Sequence, residues 1–157
     1  MKHVVAKNYM TYLSMIEGSV DSRAYLHQWA LVDGKRIDIA NGGGVSCAFF
    51  VSFILSGFGY INGVHATVVG LEKKLLASGW KKVRTPRKGA VVVWESALHP
   101  TGPHAHVGFW LDERTAVSNH PVIGVPKKHH LTFGKKKDGS PKRGIVAVYW
   151  KDGLEKT

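Results

Sequence analysis

The chain has little cysteine, few acidic residues and no long apolar run. Its 157 residues include one cysteine, Cys47, which excludes a disulfide within the chain and leaves the compartment undetermined. No stretch approaches the roughly 18 apolar residues of a membrane-spanning helix, so no membrane span is predicted. The first residues, Met1–Met10, show no apolar run with the small-residue cleavage site of a signal peptide.

Basic residues outnumber acidic ones, with 22 Lys and Arg against 11 Asp and Glu and a formal net charge of +11. They gather in three clusters, Lys81–Lys88, Lys127–His130 and Lys135–Arg143. Such clusters suit a polyanion, for example an anionic cell-wall polymer. The alternative is a solvated surface that keeps the protein soluble. The clusters match no nucleic-acid-binding motif, so no specific nucleic acid is predicted.

The spacing of apolar residues changes from helical to strand-like near Trp80. Helices are predicted within Asn8–Trp29, from Cys47 to about Leu55, and near His65–Ser78. The β-branched runs that follow predict strands at Gly89–Trp94, His106–Leu111, Thr115–Asn119, Leu131–Phe133 and Gly144–Trp150. Because helices come first and an antiparallel sheet follows, the predicted fold class is α+β.

A chain of this length fits one domain, and we expect a monomer over residues 1–157. Residues 1–40 are interpreted as an N-terminal helical extension, in which Asp33–Lys35 is the turn of either a small hairpin or a loop. Residues 41–150 form the expected core. The segment Gly134–Arg143, rich in Lys and Gly, predicts an exposed hairpin loop.

The glycine-rich loop Asn41–Gly44 leads into the apolar helix that begins near Cys47. Free N–H groups and the helix dipole stabilise an anion there, which favours a thiolate. A lone cysteine is more often buried and inert. The later strand that His106 opens reverses this preference, because cysteine hydrolases pair a helix-start cysteine with a strand histidine.

A third group is needed to hold the imidazole of His106 with one nitrogen toward the sulfur. If Asp112–Glu113 is a two-residue hairpin loop, Asn119 lies opposite His106 and can accept a hydrogen bond from the ring. A loop one residue longer would place His120 there instead. We predict Asn119 as the third catalytic residue, with His120 as the alternative.

Two polar residues before the nucleophile, Asn41 and Ser46, are candidates for binding the substrate or its oxyanion, beside the free N–H groups of the helix start. Asn41 has a second interpretation as a turn residue that tolerates left-handed backbone.

The other histidines predict no metal site, because no HExxH-like spacing and no second cysteine accompany them. We expect loop or rim positions for His99, His104, His120, His129 and His130. His65 is interpreted as a helix cap or a packing residue without a catalytic role. Neither a metal nor a cofactor is predicted.

In order and spacing, the helix-start cysteine Cys47, the segment Lys88–Trp94 and the segment His106–Leu111 resemble the NlpC-type branch of the papain-like cysteine peptidases. The related CHAP amidases share this plan. The resemblance covers about 41–120. Ala90 replaces the family's usual acidic residue after the glycine, and Ala48–Phe49 replace its usual Ser-Gly after the cysteine.

The resemblance implies a papain-like fold, with the nucleophile at a helix N-terminus packed on an antiparallel sheet. It also implies a cysteine hydrolase that cleaves amide bonds of peptidoglycan peptides through a thioester, using Cys47, His106 and Asn119, the last where the family often has a histidine. This activity would act at the cell wall or outside the cell. Two alternatives stay open: a catalytically silent papain-like module that binds a polyanion, and a thioester-forming acyltransferase.

Overall fold

The computed structural model describes residues 4–99 and 102–157 and has the predicted α+β class. The helices are α1 (Asn8–Gly18), α2 (Cys47–Gly57) and α3 (Val68–Ala77), with short 3₁₀ turns at Arg23–Tyr25 and Leu154–Lys156. The strands are β1 (Trp29–Val32), β2 (Lys35–Asp38), β3 (Trp80–Lys82), β4 (Val91–His99), β5 (Gly102–Trp110), β6 (Thr115–Asn119), β7 (Pro126–His130) and β8 (Ile145–Lys151). Within the described ranges, no helix is long and apolar enough to cross a bilayer.

An antiparallel sheet with the strand order β3-β8-β4-β5-β6-β7 forms the centre of the molecule. Helix α2 packs on one face of it, where the rings of Phe50 and Phe109 meet edge to face at 5.5 Å. Helix α1 joins the same core through Tyr12, whose hydroxyl donates to the Gly89 carbonyl at 2.6 Å. The residues before the predicted core therefore contribute to it, because their aromatic side chains fill the layer between helices and sheet.

A smaller apolar cluster covers the other face of the sheet. It consists of Val92, Trp94, Ala116 and Leu131, and the indole N–H of Trp94 donates to the Leu131 carbonyl at 2.7 Å. Side chains at alternate positions of β5, β6 and β7 point to this face, and they include the histidines described below.

Two sequence-based expectations about the elements are wrong. The segment Leu131–Phe133 is a turn and not a strand, whereas the basic segment Pro126–His130 forms β7. Strand β7 pairs only with β6 at the edge of the sheet, so polar side chains there remain partly exposed and hide the expected apolar pattern. The predicted N-terminal helical extension is also not purely helical in its described residues 4–40, since β1 and β2 form the hairpin that was one of the two options for Asp33–Lys35.

Candidate active site

The nucleophile candidate stands where it was predicted, at the first residue of α2. The preceding loop is packed backbone to backbone against the turn that follows β6, because a Cβ at Gly43 would clash with the backbone of Gly124. The amide Nδ2 of Asn119 adds a hydrogen bond to the Gly43 carbonyl at 2.5 Å. These contacts fix the helix start, and with it Cys47, relative to strand β6.

The thiol of Cys47 is partly buried, and burial raises its pKa above the ordinary value. The backbone N–H groups of Val107 and Ala48 and the positive charge of Arg143 act in the opposite direction, but they do not offset the burial. The expectation of a resting thiolate is therefore wrong, because the desolvation of the anion outweighs the helix start. The resting group is a neutral thiol.

The imidazole of His106 is buried on β5, the strand that also supplies the Val107 N–H beside the thiol. Burial, followed by the charges of Arg143, His129 and His120, lowers the pKa of His106 to about 3. The ring is therefore neutral at physiological pH. A neutral ring accepts a proton only at the nitrogen that carries the lone pair.

The partner that orients His106 is Ser118, whose Oγ lies 2.8 Å from the ring Nε2. The predicted register is wrong by one residue, since Gly108 pairs with Ser118 and the β5–β6 loop has three residues. Asn119 makes no hydrogen bond to His106, and its amide contacts Gly43 instead. Continued by two residues, this register places the alternative residue, His120, opposite His106, as expected for a loop one residue longer. The Nδ1 of His120 accepts from the N–H groups of Val122 and Ile123 in the following turn.

Ser118 joins His106 to a second histidine, His129 on β7, whose Nε2 lies 2.7 Å from the same Oγ. The Nδ1 of His129 lies 2.8 Å from the carbonyl oxygen of His130. A carbonyl only accepts, so this Nδ1 carries a proton. Burial lowers the pKa of His129, so the ring is neutral and its Nε2 accepts from the Ser118 hydroxyl.

We call the hydrogen-bonded series His106, Ser118 and His129 the relay. The proton on Nδ1 of His129 determines where the other protons of the relay lie. Because the one hydroxyl proton of Ser118 points to His129, its oxygen accepts from His106, and Nε2 of His106 must carry a proton. The lone pair of the neutral ring is then on Nδ1. The relay thus sets the tautomer that can accept a proton from a thiol.

Packing on this face holds the relay in place. Phe133 stacks on the His129 ring with centroids 4.1 Å apart, and Trp94 lies 5.7 Å from the His106 ring. Gly108, between His106 and Trp110 on the same side of β5, leaves the space in which Ser118 lies diagonal to His106. A Cβ at Gly108 would clash with the Val117 carbonyl and approach the Ser118 Cβ to 2.7 Å.

Cys47, His106 and Asn119 line one cavity of about 960 Å³, whose outer wall is the far end of the β4–β5 hairpin. Arg143 also lines it. The guanidinium of Arg143 donates from Nε to the Glu95 carbonyl at 2.8 Å and from Nη2 to the His104 carbonyl at 2.7 Å. The cavity therefore contains a thiol, a neutral imidazole and a fixed cation.

The oxyanion candidates differ in what they can offer. Ser46 is buried and its hydroxyl donates to the Gly43 carbonyl at 3.2 Å, so its side chain holds the loop. Asn41 lines the cavity but has a positive φ of 51°, in agreement with its interpretation as a turn residue. The N–H groups of the first turn of α2 remain the better oxyanion donors, because they have no partners within the helix.

Two of the histidines that the sequence analysis gave no catalytic role, His129 and His65, lie in unexpected surroundings. His129 is not a rim residue, since it is partly buried in β7 and bonded to Ser118. His65 precedes α3 without capping it, because Thr67 accepts from the Gly70 N–H at that position. In the part of the chain that the structure describes, no group of three or more His, Cys, Asp or Glu is arranged to hold a metal ion.

Sequence reasoning missed Ser118, His129 and Arg143. Ser118 could have been found because it follows Ala116 by two residues and therefore lies on the same face of β6. His129 could have been found because Pro126–His130 has the length of a strand. Nothing in the sequence placed Arg143 beside Cys47, because these residues are far apart in the chain. In comparisons with known proteins, neither a family model nor a curated protein matches the chain.

Proposed function

We propose that the protein is a cysteine hydrolase of the NlpC-type, papain-like plan that cleaves amide bonds, with peptidoglycan peptides as its substrates. The observation that carries the proposal is the relay: it leaves Nδ1 of His106 as a proton acceptor in the cavity that Cys47 lines.

The reaction starts from the neutral pair. As the sulfur of Cys47 attacks the amide carbonyl carbon, its proton passes to Nδ1 of His106, and N–H groups at the start of α2 bind the oxyanion. Nδ1–H of His106 then donates to the amide nitrogen, the C–N bond breaks and a thioester remains. Water attacks the thioester, gives one proton to His106, and the released sulfur takes that proton back.

A direct test is product analysis after incubation of the protein with purified peptidoglycan fragments. We expect new amine and carboxylate ends with the wild-type chain and none with Cys47→Ala. Cys47→Ser is the matched control, because it keeps a hydroxyl nucleophile of lower reactivity at the same position. Equal product with Cys47→Ala would contradict the proposal, and product appearing only with an added amine acceptor would identify an acyltransferase.

Binding to an anionic wall polymer is proposed as an accompanying property, carried by the Lys135–Lys137 segment. These lysines are exposed on the loop before β8. The ion pairs found among the described residues involve other cations, among them Lys81, Arg87 and Lys88. The Lys81–Lys88 cluster is thus partly neutralised by the protein itself, whereas the loop lysines are available to a polyanion.

A further inference from the structure

We propose that Arg143 binds a carboxylate of the substrate, so that the site selects acyl donors carrying a negative charge close to the scissile carbonyl. The reaction itself rests on the proposed function, whereas the charge recognition rests on the cavity alone.

The guanidinium of Arg143 is fixed in position by its neighbours before any ligand binds. Its hydrogen bonds to the carbonyls of Glu95 and His104 fix one edge, and the ring of Phe133 lies 5.8 Å from its central carbon. The Nη1 group makes no hydrogen bond to any residue in the described ranges. Because the planar fork is immobilised before binding, little side-chain entropy is lost when an anion arrives.

Arg143 also lacks a carboxylate partner, since none of the ion pairs found among the described residues includes it. Burial lowers the pKa of Arg143 and the negative charge of Glu95 acts to raise it, but this carboxylate forms no ion pair with the guanidinium, and its Oε1 accepts from the Gly144 N–H at 2.8 Å. Asp38, which lines the cavity, has its oxygens bonded to His27 and to three backbone N–H groups. A partly buried guanidinium without an ion pair is suited to a bidentate carboxylate.

A bound carboxylate would also assist the chemistry. The charge of Arg143 opposes the imidazolium that His106 becomes during attack, together with the charges that His129 and His120 would carry if protonated. A substrate carboxylate on Arg143 offsets that repulsion when the proton moves. An anionic substrate should therefore gain in kcat as well as in KM over its neutral counterpart.

The test compares alkylation of Cys47 by iodoacetate and by iodoacetamide at one alkaline pH, with the denatured chain as the reference for the rate ratio. We expect the folded protein to favour iodoacetate by about tenfold over the reference, the effect of one partly screened charge. Arg143→Gln should return the ratio to the reference, and Arg143→Lys should restore part of it. Arg84→Gln, an exposed position outside the cavity, removes the same charge and should leave the ratio unchanged.

A wild-type measurement makes the test independent of variant folding. Acetate should slow alkylation by iodoacetate more than chloride does at equal ionic strength. A reference-like ratio in the folded wild type, or equal effects of acetate and chloride, would overturn the carboxylate site even if the protein hydrolyses peptides. A high ratio lost in Arg143→Gln supports the site, and a lack of hydrolysis beside it would contradict the hydrolase proposal alone.

Discussion

Replacing Ser118 by alanine cuts the relay at its centre. The substitution removes the oxygen that lies 2.8 Å from Nε2 of His106 and 2.7 Å from Nε2 of His129. Both rings stay in place, because Trp94 and Phe133 pack against them. The hydrogen-bonding control over the tautomer of His106 is lost, and either ring nitrogen can then carry the proton.

The expected loss follows from the bond that is removed. A neutral hydrogen bond contributes about 1 kcal/mol net, and a buried donor left without a partner costs roughly 1–3 kcal/mol. If that energy favours the reactive tautomer, kcat/KM for amide hydrolysis falls by about 10- to 100-fold, since each 1.4 kcal/mol is a factor of ten. KM should change less, because Ser118 does not line the cavity.

The assay is steady-state hydrolysis of a peptidoglycan peptide by Ser118→Ala, with Ser19→Ala as control. Ser19 is a buried serine whose hydroxyl donates to the Ile16 carbonyl at 2.6 Å, so its loss tests destabilisation without touching the site. His129→Phe keeps a ring to stack on Phe133 and removes the nitrogen. We expect Ser118→Ala and His129→Phe to be non-additive. Additive losses, or a Ser118→Ala enzyme as active as Ser19→Ala, would refute the relay.

The pH profile gives a second readout. The pKa of His129 lies below its ordinary 6.5, so the ring is protonated only under acidic conditions. Its Nε2 would then donate to Ser118, the hydroxyl would turn toward His106, and the lone pair of that ring would move to Nε2. Activity should therefore fall as the pH drops through the His129 pKa, which burial lowers from its ordinary value. An acid limb unchanged in His129→Phe would contradict this.

Three other substitutions test separate parts of the structure. His106→Ala should abolish hydrolysis yet leave the pKa of Cys47 nearly unchanged, because the neutral ring does not stabilise a thiolate. The rate of iodoacetamide alkylation across a pH series measures this pKa, and a large rise in the Cys47 pKa would show that the two residues form an ion pair. Gly108→Ala should impair hydrolysis and lower the free energy of unfolding, measured in urea, by roughly 1–3 kcal/mol, because its Cβ clashes with the Val117 carbonyl. A variant as stable as the wild type would show that β5 and β6 move apart to accommodate the Cβ. Replacing Lys135–Lys137 by glutamine should weaken sedimentation with cell walls at low salt, and binding independent of both salt and these lysines would exclude the electrostatic attachment.

The sequence was sufficient for the helix start at Cys47 and for strand β6, whose bounds Thr115–Asn119 match the prediction. It was not sufficient for the register, because one turn decides it. The carboxylate of Asp112 accepts from the Arg114 N–H at 2.8 Å and closes a three-residue loop, where a two-residue loop was expected. A shift of one residue moves every side chain to the other face, so Ser118 and not Asn119 reaches His106.

The electrostatics of the site were also beyond sequence reasoning. A helix start after glycines predicts a low thiol pKa only if the thiol stays hydrated, and burial of Cys47 depends on how β5 and the loop before α2 pack. The position of Arg143 is equally a tertiary property, since the turns before β8 bring it under the far end of β4.

Strand β7 carries His129 at the open edge of the sheet, where β6 is its neighbouring strand. Edge strands fray before central ones, whereas α2 and β5 belong to the main core. A brief opening of β7 would disconnect His129 while Cys47 and the rest of the fold stay in place. Warming should therefore abolish hydrolysis reversibly at temperatures where the helices and central strands are still folded. The fraying of one strand would then set the upper temperature limit of activity.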